Sequence, residues 1–91
     1  MNDDMEIGKV VLAKAGRDKG RHFVIVGRID KDYVLIADGR TRSIDKPKKK
    51  KIKHLEARPH VVYNVREKIL NNQKVFDAEL RKSLEALGYE Q

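Results

Sequence analysis

The residues between positions 7 and 55 form short runs rich in valine and isoleucine, separated by glycines and charged residues. Each run is about four to eight residues long, which suits a strand better than a helix. The pattern therefore predicts a series of β-strands. They are GKVVLAK (8–14), HFVIVGRI (22–29), YVLIA (33–37), RTRSI (40–44) and IKHL (52–55).

The third and fourth runs flank Asp38-Gly39, a dipeptide typical of two-residue hairpin turns. In such a hairpin Ala37 would pair with Arg40, and Leu35 with Arg42, so both arginines would project from one face. The lysine run that follows is predicted to be a loop, because Pro47 cannot donate a ladder hydrogen bond. We expect Ile44 and Ile52 to tether the two ends of this loop to the core.

Strands this short cannot bury a face as a flat, open sheet, whereas a small barrel over residues 6–57 buries one face and protects the edges. The second and third runs are apolar at both odd and even positions, so both faces of these strands would be apolar. Phe23 and Ile25 alternate with Val24 and Val26. The outside of the barrel therefore needs a cover.

Residues 58–91 are predicted to provide this cover as a helical extension. Asn64 and Glu67 fit a capping box that would start a helix at Val65. A second helix is predicted from residue 77 to residue 87. Its apolar stripe consists of Phe76, Leu80, Leu84 and Leu87. The expected fold is mainly β: a five-stranded barrel followed by two short helices packed on it.

The net charge of the 91-residue chain is +7, and the excess is local. Basic and acidic residues balance within residues 1–39 and within residues 59–91, whereas residues 40–58 hold nine basic residues against Asp45 and Glu56. A local excess attracts polyanions, which makes nucleic acid the leading partner. An anionic membrane surface fits less well, because the lysine run is not part of an amphipathic helix.

Composition argues against several other classes. The chain has no cysteine, which removes disulfides and thiolate sites and suits a reducing compartment. It shows neither a signal-peptide core nor an apolar run of about 18 residues, so we expect a cytoplasmic protein. His22, His54 and His60 lack the spacing of metal ligands, and no serine lies in a nucleophile elbow. We expect no catalysis, cofactor or metal.

The segment KAGRDKGR (14–21) is the second candidate binding region. Gly16 and Gly20 are expected to adopt conformations barred to residues with a β-carbon, which brings the backbone close to a ligand. A charged, solvated loop is the alternative interpretation. The predicted binding residues of both regions are Lys14, Arg17, Lys19, Arg21, Arg40, Arg42, Lys46, Lys48, Lys49, Lys50, Lys51, Lys53 and His54.

The stretch VVLAKAGRDKGRHFVIVGRIDKDYVLIAD resembles a KOW motif, and the later IKHLE is similar to the end of the barrel in archaeal and eukaryotic large-subunit ribosomal protein fourteen. The whole chain resembles the small bacterial KOW-domain relatives of that family. The resemblance covers residues 7–57. It implies an SH3-like barrel that binds RNA, with Gly16 and Gly20 as the turn glycines and Arg17 and Lys19 as basic contacts.

The resulting hypothesis is an RNA-binding protein of the translation machinery that docks basic loops on structured, ribosomal RNA and is monomeric when free. Stacking on bases should be minor, because Phe and Tyr number only five. One alternative is a protein-interaction module. A peptide-binding groove is usually lined by aromatic residues, however, and Phe23, Tyr33 and Tyr63 are few for that purpose. Charge alone also leaves open duplex DNA binding. A nuclear import signal in PKKKKIK is a further rival, disfavoured because strands are predicted on both sides of it.

Overall fold

A computed structural model describes residues 5–89 of the chain. The strands are β1 (Lys9–Ala13), β2 (His22–Arg28), β3 (Tyr33–Ala37), β4 (Lys48–Lys51) and β5 (Leu55–Val61). A 3-10 turn (Ile52–His54) joins β4 to β5, and the helices α1 (Tyr63–Leu70) and α2 (Asp77–Ala86) follow. The protein is mainly β with a C-terminal helical extension, as predicted. Among residues 5–89, neither helix is long and apolar enough to cross a membrane.

The strands form one antiparallel sheet in the order β4-β3-β2-β1-β5. Its two edge strands are consecutive in the chain and only the three residues of the 3-10 turn separate them. The sheet must therefore curl back on itself at this corner, which produces a small barrel-like shape. The amide of Lys14 donates to the carbonyl of His54 at 2.8 Å and ties the end of β1 to the same corner.

The inner face of the sheet is a closed apolar core. It is built from Met5, Val11, Ala13, Phe23, Ile25, Val34, Ile36 and Leu55, all of them buried. These positions alternate along each strand, as the period of two requires. Ile52 packs against this core and tethers the end of β4, as predicted.

The outer face carries the alternate positions Val10, Val24 and Ala37, and the helices cover it. Leu80 and Leu84 of α2 are buried in this second cluster. Val62, Val65 and Val75 are also buried in it, and the partly buried side chains that pack against it include Ile44 and Leu87. Phe76 was expected in the same stripe but is 58% exposed, because it precedes the first turn of α2 and lies outside the contact.

The predicted hairpin at Asp38-Gly39 is wrong. Asp38 is buried, and its Oδ1 accepts hydrogen bonds from the amides of Arg40 (2.9 Å) and Arg42 (3.0 Å), which makes a turn of the Asx type. Residues 40–44 form no strand. Instead, the amide of Ile44 donates to Oδ1 of Asp77 at 2.7 Å, so the start of α2 supplies the partner that β3 would have supplied.

The fourth strand is the lysine run itself, so the loop prediction is also wrong. Tyr33 is opposite Lys51, and Ile36 is opposite Lys48. Pro47 directly precedes this strand, where its missing N–H breaks no ladder bond. Lysines are common on edge strands because their charge discourages pairing with another chain.

Two further boundaries differ from the expectation. Residues 52–54 are a 3-10 turn, and β5 starts at Leu55 and continues to Val61, beyond the predicted end of the barrel at residue 57. Helix α1 starts at Tyr63 without a capping box, because Nδ2 of Asn64 donates to Oε2 of Glu79 at 3.3 Å instead. Helix α2 starts at the predicted Asp77.

Candidate nucleic-acid interface

The glycine-rich segment 14–21 is a compact turn between β1 and β2. The amide of Ala13 donates to the carbonyl of Arg21 at 3.0 Å, and the amide of Gly20 donates to the carbonyl of Ala13 at 2.9 Å. Gly16 and Gly20 have φ of +80° and +88°, which confirms the left-handed conformations expected of them. The turn is therefore held by its own backbone, leaving its basic side chains free to project.

Lys14, Arg17 and Lys19 of this turn are exposed, and Arg21 is half-buried. None of these four side chains belongs to an ion pair within residues 5–89. The turn's one acidic residue, Asp18, points inward and is only 5% exposed. The outward surface of the turn is therefore purely basic.

The lysine strand presents two faces. Lys48 and Lys50 are opposite Ile36 and Val34, on the side of the inner core. Nζ of Lys50 donates to the carbonyl of Ala15 at 3.0 Å. The stem of Lys50 therefore crosses the rim of the barrel, and its charge lies against the glycine turn.

Lys49 and Lys51 lie on the outer face, opposite Leu35 and Tyr33. Their ammonium nitrogens are 4.6 Å and 5.8 Å from the centroid of the Tyr33 ring. Within the described part of the chain neither lysine pairs with a carboxylate. This face of β4 therefore carries two uncompensated charges over one aromatic ring.

Arg40 and Arg42 do not project from one hairpin face as predicted, because that hairpin is absent. Nη2 of Arg40 lies 2.8 Å from Oε2 of Glu85 on α2. Nη2 of Arg42 lies 3.1 Å from Oδ2 of Asp18. Both arginines therefore connect parts of the fold, and Arg42 connects the glycine turn directly to segment 39–44.

The remaining predicted residues surround these contacts. Lys46 and Lys53 are exposed, and His54 is half-buried in the 3-10 turn, with its carbonyl bound to the amide of Lys14. Contacts through Lys50 and His54 thus bring the two basic segments next to each other. We call this combined surface, residues 14–21 and 46–54, the basic surface.

The comparisons with known proteins point to a single family. No family model matches the sequence. The chain is 34% identical over 84 residues to large ribosomal subunit protein eL14 of Hyperthermus butylicus, a match that covers 92% of this chain and 79% of the relative. The chain belongs to the eL14 family. The eL14 protein of Pyrobaculum arsenaticum is 32% identical over 84 residues, which are 92% of this chain and 75% of that protein.

The match to eL14 is longer than the resemblance seen in the sequence. An aligned stretch of 84 residues is longer than residues 7–57, so it includes part of the helical extension. The KOW-type family assignment is therefore confirmed, and its extent is larger than expected. In this eL14-family chain the aligned stretch thus includes part of the segment that forms the helices.

One cluster was missed by sequence reasoning. The rings of His22 and Tyr89 lie 4.6 Å apart, and Nδ1 of His60 lies 2.6 Å from Oη of Tyr89. Nε of Arg58 lies 3.3 Å from Nε2 of His22. Burial, with a smaller contribution from the Arg58 charge, lowers the pKa of His22. The cluster fastens the end of α2 to the sheet, and no local pattern indicates it because its members come from distant segments.

A second surface feature of this eL14-family fold is an open, largely apolar groove of about 330 Å³ between the helices. It is lined by Val61, Val62, Tyr63, Asn64, Ser83, Ala86 and Leu87. Tyr63 is 68% exposed at its edge. No group of three or more His, Asp or Glu side chains within residues 5–89 could hold a metal ion.

Proposed function

We propose that this protein binds structured RNA of the ribosome and acts in translation by docking its basic surface on the phosphate backbone. The observation that carries the proposal is the hydrogen bond from Lys50 to Ala15, which joins two basic segments that are far apart in the sequence. The family relationship supports it, because the similar proteins are named as large ribosomal subunit proteins. The protein would then be a cytoplasmic binding component and not an enzyme.

The local excess of basic residues in segment 40–58 supports a one-sided interface. Two basic residues outside the basic surface have carboxylate partners: Arg66 with Glu6 (3.5 Å) and Lys68 with Glu79 (2.8 Å). On the basic surface, by contrast, Lys49 and Lys51 have none among the described residues. A positive potential concentrated on one side orients the protein toward a polyanion before contact.

The chemistry of the contact would be mainly electrostatic. Lysines act as mobile point charges, and arginines such as Arg17 offer planar forks to phosphates. Neutralising about five phosphates would make log K fall with log salt at a slope of roughly 3.5 to 4.5. Such binding reads the shape of a folded RNA and not its sequence.

The test is a salt titration of binding to a ribosomal RNA fragment. The double variant Lys49→Ala/Lys51→Ala should lower the slope by about 1.4 to 1.8, the equivalent of two phosphate contacts. The double variant Lys74→Ala/Lys82→Ala is the matched control, because it removes the same charge from exposed positions near or on α2. If both variants lower the slope equally, net charge and not the basic surface governs binding.

Two further measurements define the partner. Co-sedimentation with ribosomes at low and high salt tests ribosome association, and unlabelled duplex DNA should compete poorly with ribosomal RNA. Strong competition by duplex DNA would contradict the RNA assignment. Gel filtration of the free chain tests whether it is a monomer.

A protein contact is the second candidate function, and the groove beside Tyr63 favours it. An apolar groove with an exposed tyrosine at its edge is typical of a protein-binding surface. A pull-down repeated after nuclease treatment separates the two cases. A neighbour held at the groove would survive nuclease and be lost in Tyr63→Ser, whereas a neighbour held through RNA would disappear with the RNA.

A further inference from the structure

The outer face of β3 and β4 combines lysines of the basic surface with side chains of β3, which lies outside that surface. Tyr33 and Leu35 of β3 lie on this face, opposite Lys51 and Lys49. The apolar cluster beneath the helices includes Ala37 but neither Tyr33 nor Leu35. Tyr33 is four residues from Ala37, about 13 Å along an extended strand. The helices therefore cover one end of this face, and Tyr33 lies at the other.

The backbone at Tyr33 is held from both sides. Its amide donates to Oδ1 of Asp30 at 2.9 Å, and the same oxygen accepts the amide of Asp32 at 2.8 Å. Its carbonyl accepts the amides of Ile29 at 3.1 Å and Asp30 at 3.3 Å. The carboxylate of Asp30 is thereby engaged within its own turn. The Tyr33 ring is thus presented from a rigid position, which reduces the entropy lost when a ligand packs on it.

The charges around Tyr33 are uncompensated and mobile. The ammonium groups of Lys49 and Lys51 lie 4.6 Å and 5.8 Å from the ring centroid, at cation–π distance. A cation–π contact at a solvated site is weak, whereas stacking of a nucleobase on an aromatic ring is stronger. Because lysine stems are flexible, the ammonium groups can leave the ring for nearby phosphates and make room for a base.

We propose that this face binds one unpaired nucleotide of a single-stranded RNA segment, with its base stacked on Tyr33 and its flanking phosphates on Lys49 and Lys51. The inference rests on the proposed RNA-binding function and adds a subsite to it. A nucleotide combines an aromatic face with adjacent negative charge, and both have partners here. An acidic peptide has only the charge. One stacked base remains consistent with binding that is mainly electrostatic.

The first experiment measures binding of an oligouridylate of about eight nucleotides, within the range of single-strand binding sites. Tyr33→Leu, which keeps an apolar side chain beneath the lysines, should weaken binding roughly tenfold, the effect of one lost stacked base. The salt slope should not change, because no charge is removed. Tyr33→Phe keeps the ring and should bind like the wild type. Phe76→Leu is the control, since Phe76 is exposed outside the basic surface.

The second experiment reports on the ring directly. The chain has no tryptophan, so Tyr33→Trp introduces a single fluorophore at the site. Addition of the oligouridylate should quench its emission, whereas an oligoglutamate of the same length should not. Phe76→Trp, at an exposed position outside the basic surface, should respond to neither ligand. This measurement does not depend on the folding of Tyr33→Leu.

The outcomes separate this subsite from the wider proposal. The stacking subsite would be overturned if Tyr33→Leu bound the oligouridylate with wild-type affinity and the emission of Tyr33→Trp were not quenched. If Lys49→Ala/Lys51→Ala still lowered the salt slope in that case, the proposal that the basic surface binds RNA would stand. If the protein bound oligoglutamate as tightly as RNA, and Tyr33→Leu weakened both equally, the face would be a peptide-binding site. That result would also overturn the proposal. If the wild type bound no RNA at all, both the stacking subsite and the proposed RNA-binding function would be overturned.

Discussion

Nη2 of Arg42 lies 3.1 Å from Oδ2 of Asp18, although 24 residues separate them in the chain. The Asp18 side chain is only 8% exposed, and that of Arg42 is 29% exposed. The pair joins the glycine turn to segment 39–44, and α2 anchors that segment in turn through the bond between Ile44 and Asp77. The shape of the basic surface therefore depends on an ion pair that itself faces inward.

We expect Arg42→Ala to reduce stability even without RNA. Removing the guanidinium leaves the Asp18 carboxylate buried without its partner, which should lower the free energy of unfolding by about 1 to 3 kcal/mol. Urea denaturation measures this loss. Arg17→Ala is the control, because Arg17 is an exposed neighbour of Asp18, and it should stay within about 0.5 kcal/mol of the wild type. Equal stability of the two variants would show that the ion pair contributes nothing.

Gly39→Ala should be much more damaging than Gly20→Ala. Both glycines have positive φ, +78° and +88°. A left-handed conformation alone costs a residue with a β-carbon about 1 to 2 kcal/mol. At Gly39 the new carbon would also overlap the carbonyl oxygen of Asp77, whereas at Gly20 it would meet no atom within 4 Å. Thermal melting of both variants checks the difference, and similar melting temperatures would mean that α2 does not press on Gly39.

The helical cover can be tested within its own apolar stripe. Leu80 is fully buried against the outer face of the sheet, so Leu80→Ala should lower the free energy of unfolding by about 2 to 5 kcal/mol. Phe76 is 58% exposed, and Phe76→Ala should change stability by about 0.5 kcal/mol or less. Denaturant titration measures both. A small effect of Leu80→Ala would indicate that α2 is not part of the cooperative fold.

Stability should fall on mild acidification because of His22. Its folded pKa is lowered from the ordinary 6.5 by burial and then by Arg58, so the unfolded chain binds the proton at higher pH than the folded chain. The contribution of neutral His22 to the free energy of unfolding is therefore fully present above about pH 6.5. It is lost as the pH falls from there toward the folded pKa. Melting temperatures between about pH 7.5 and pH 5 should show this loss.

The variant that checks the assignment is His22→Gln, which should flatten the profile in this range. Arg58→Gln removes the smaller of the two causes and should flatten it only in part. The pKa of Glu79 is also lowered, chiefly by its hydrogen bond from Lys68, so its contribution is lost only below its ordinary 4.5 and outside this range. An unchanged slope in His22→Gln would assign the pH dependence to other groups.

The sequence predicted β1, β2, β3 and α2 well because each is specified by its own residues. Strand β3, Tyr33–Ala37, has the predicted bounds, and α2 starts at the predicted Asp77. The positive φ of Gly16 and Gly20 also follows from local turn chemistry. In each case the residues that form the pattern lie within about ten residues of the element that they specify. The prediction therefore did not require knowledge of long-range packing.

The prediction of secondary structure failed between residues 38 and 54. There the structure depends on contacts with segments that are distant in the sequence. Asp38-Gly39 is a strong hairpin signal in isolation, but the Asp38 carboxylate binds the amides of Arg40 and Arg42, and Gly39 lies against α2. Once this segment is held by the helix, the next residues able to pair with β3 are the lysines. A charge run that would be a loop by composition thus becomes an edge strand.

The sequence by itself determined β1, β2 and β3, the helical cover and the location of the excess charge, because periodicity, turn residues and net charge are properties of neighbouring positions. Only the tertiary structure decided how that charge is presented. The register of β4 on β3 directs Lys50 toward the glycine turn and leaves Lys49 and Lys51 over Tyr33. The segment that precedes β4 is bonded to α2, more than 30 residues away, and no local pattern encodes that contact.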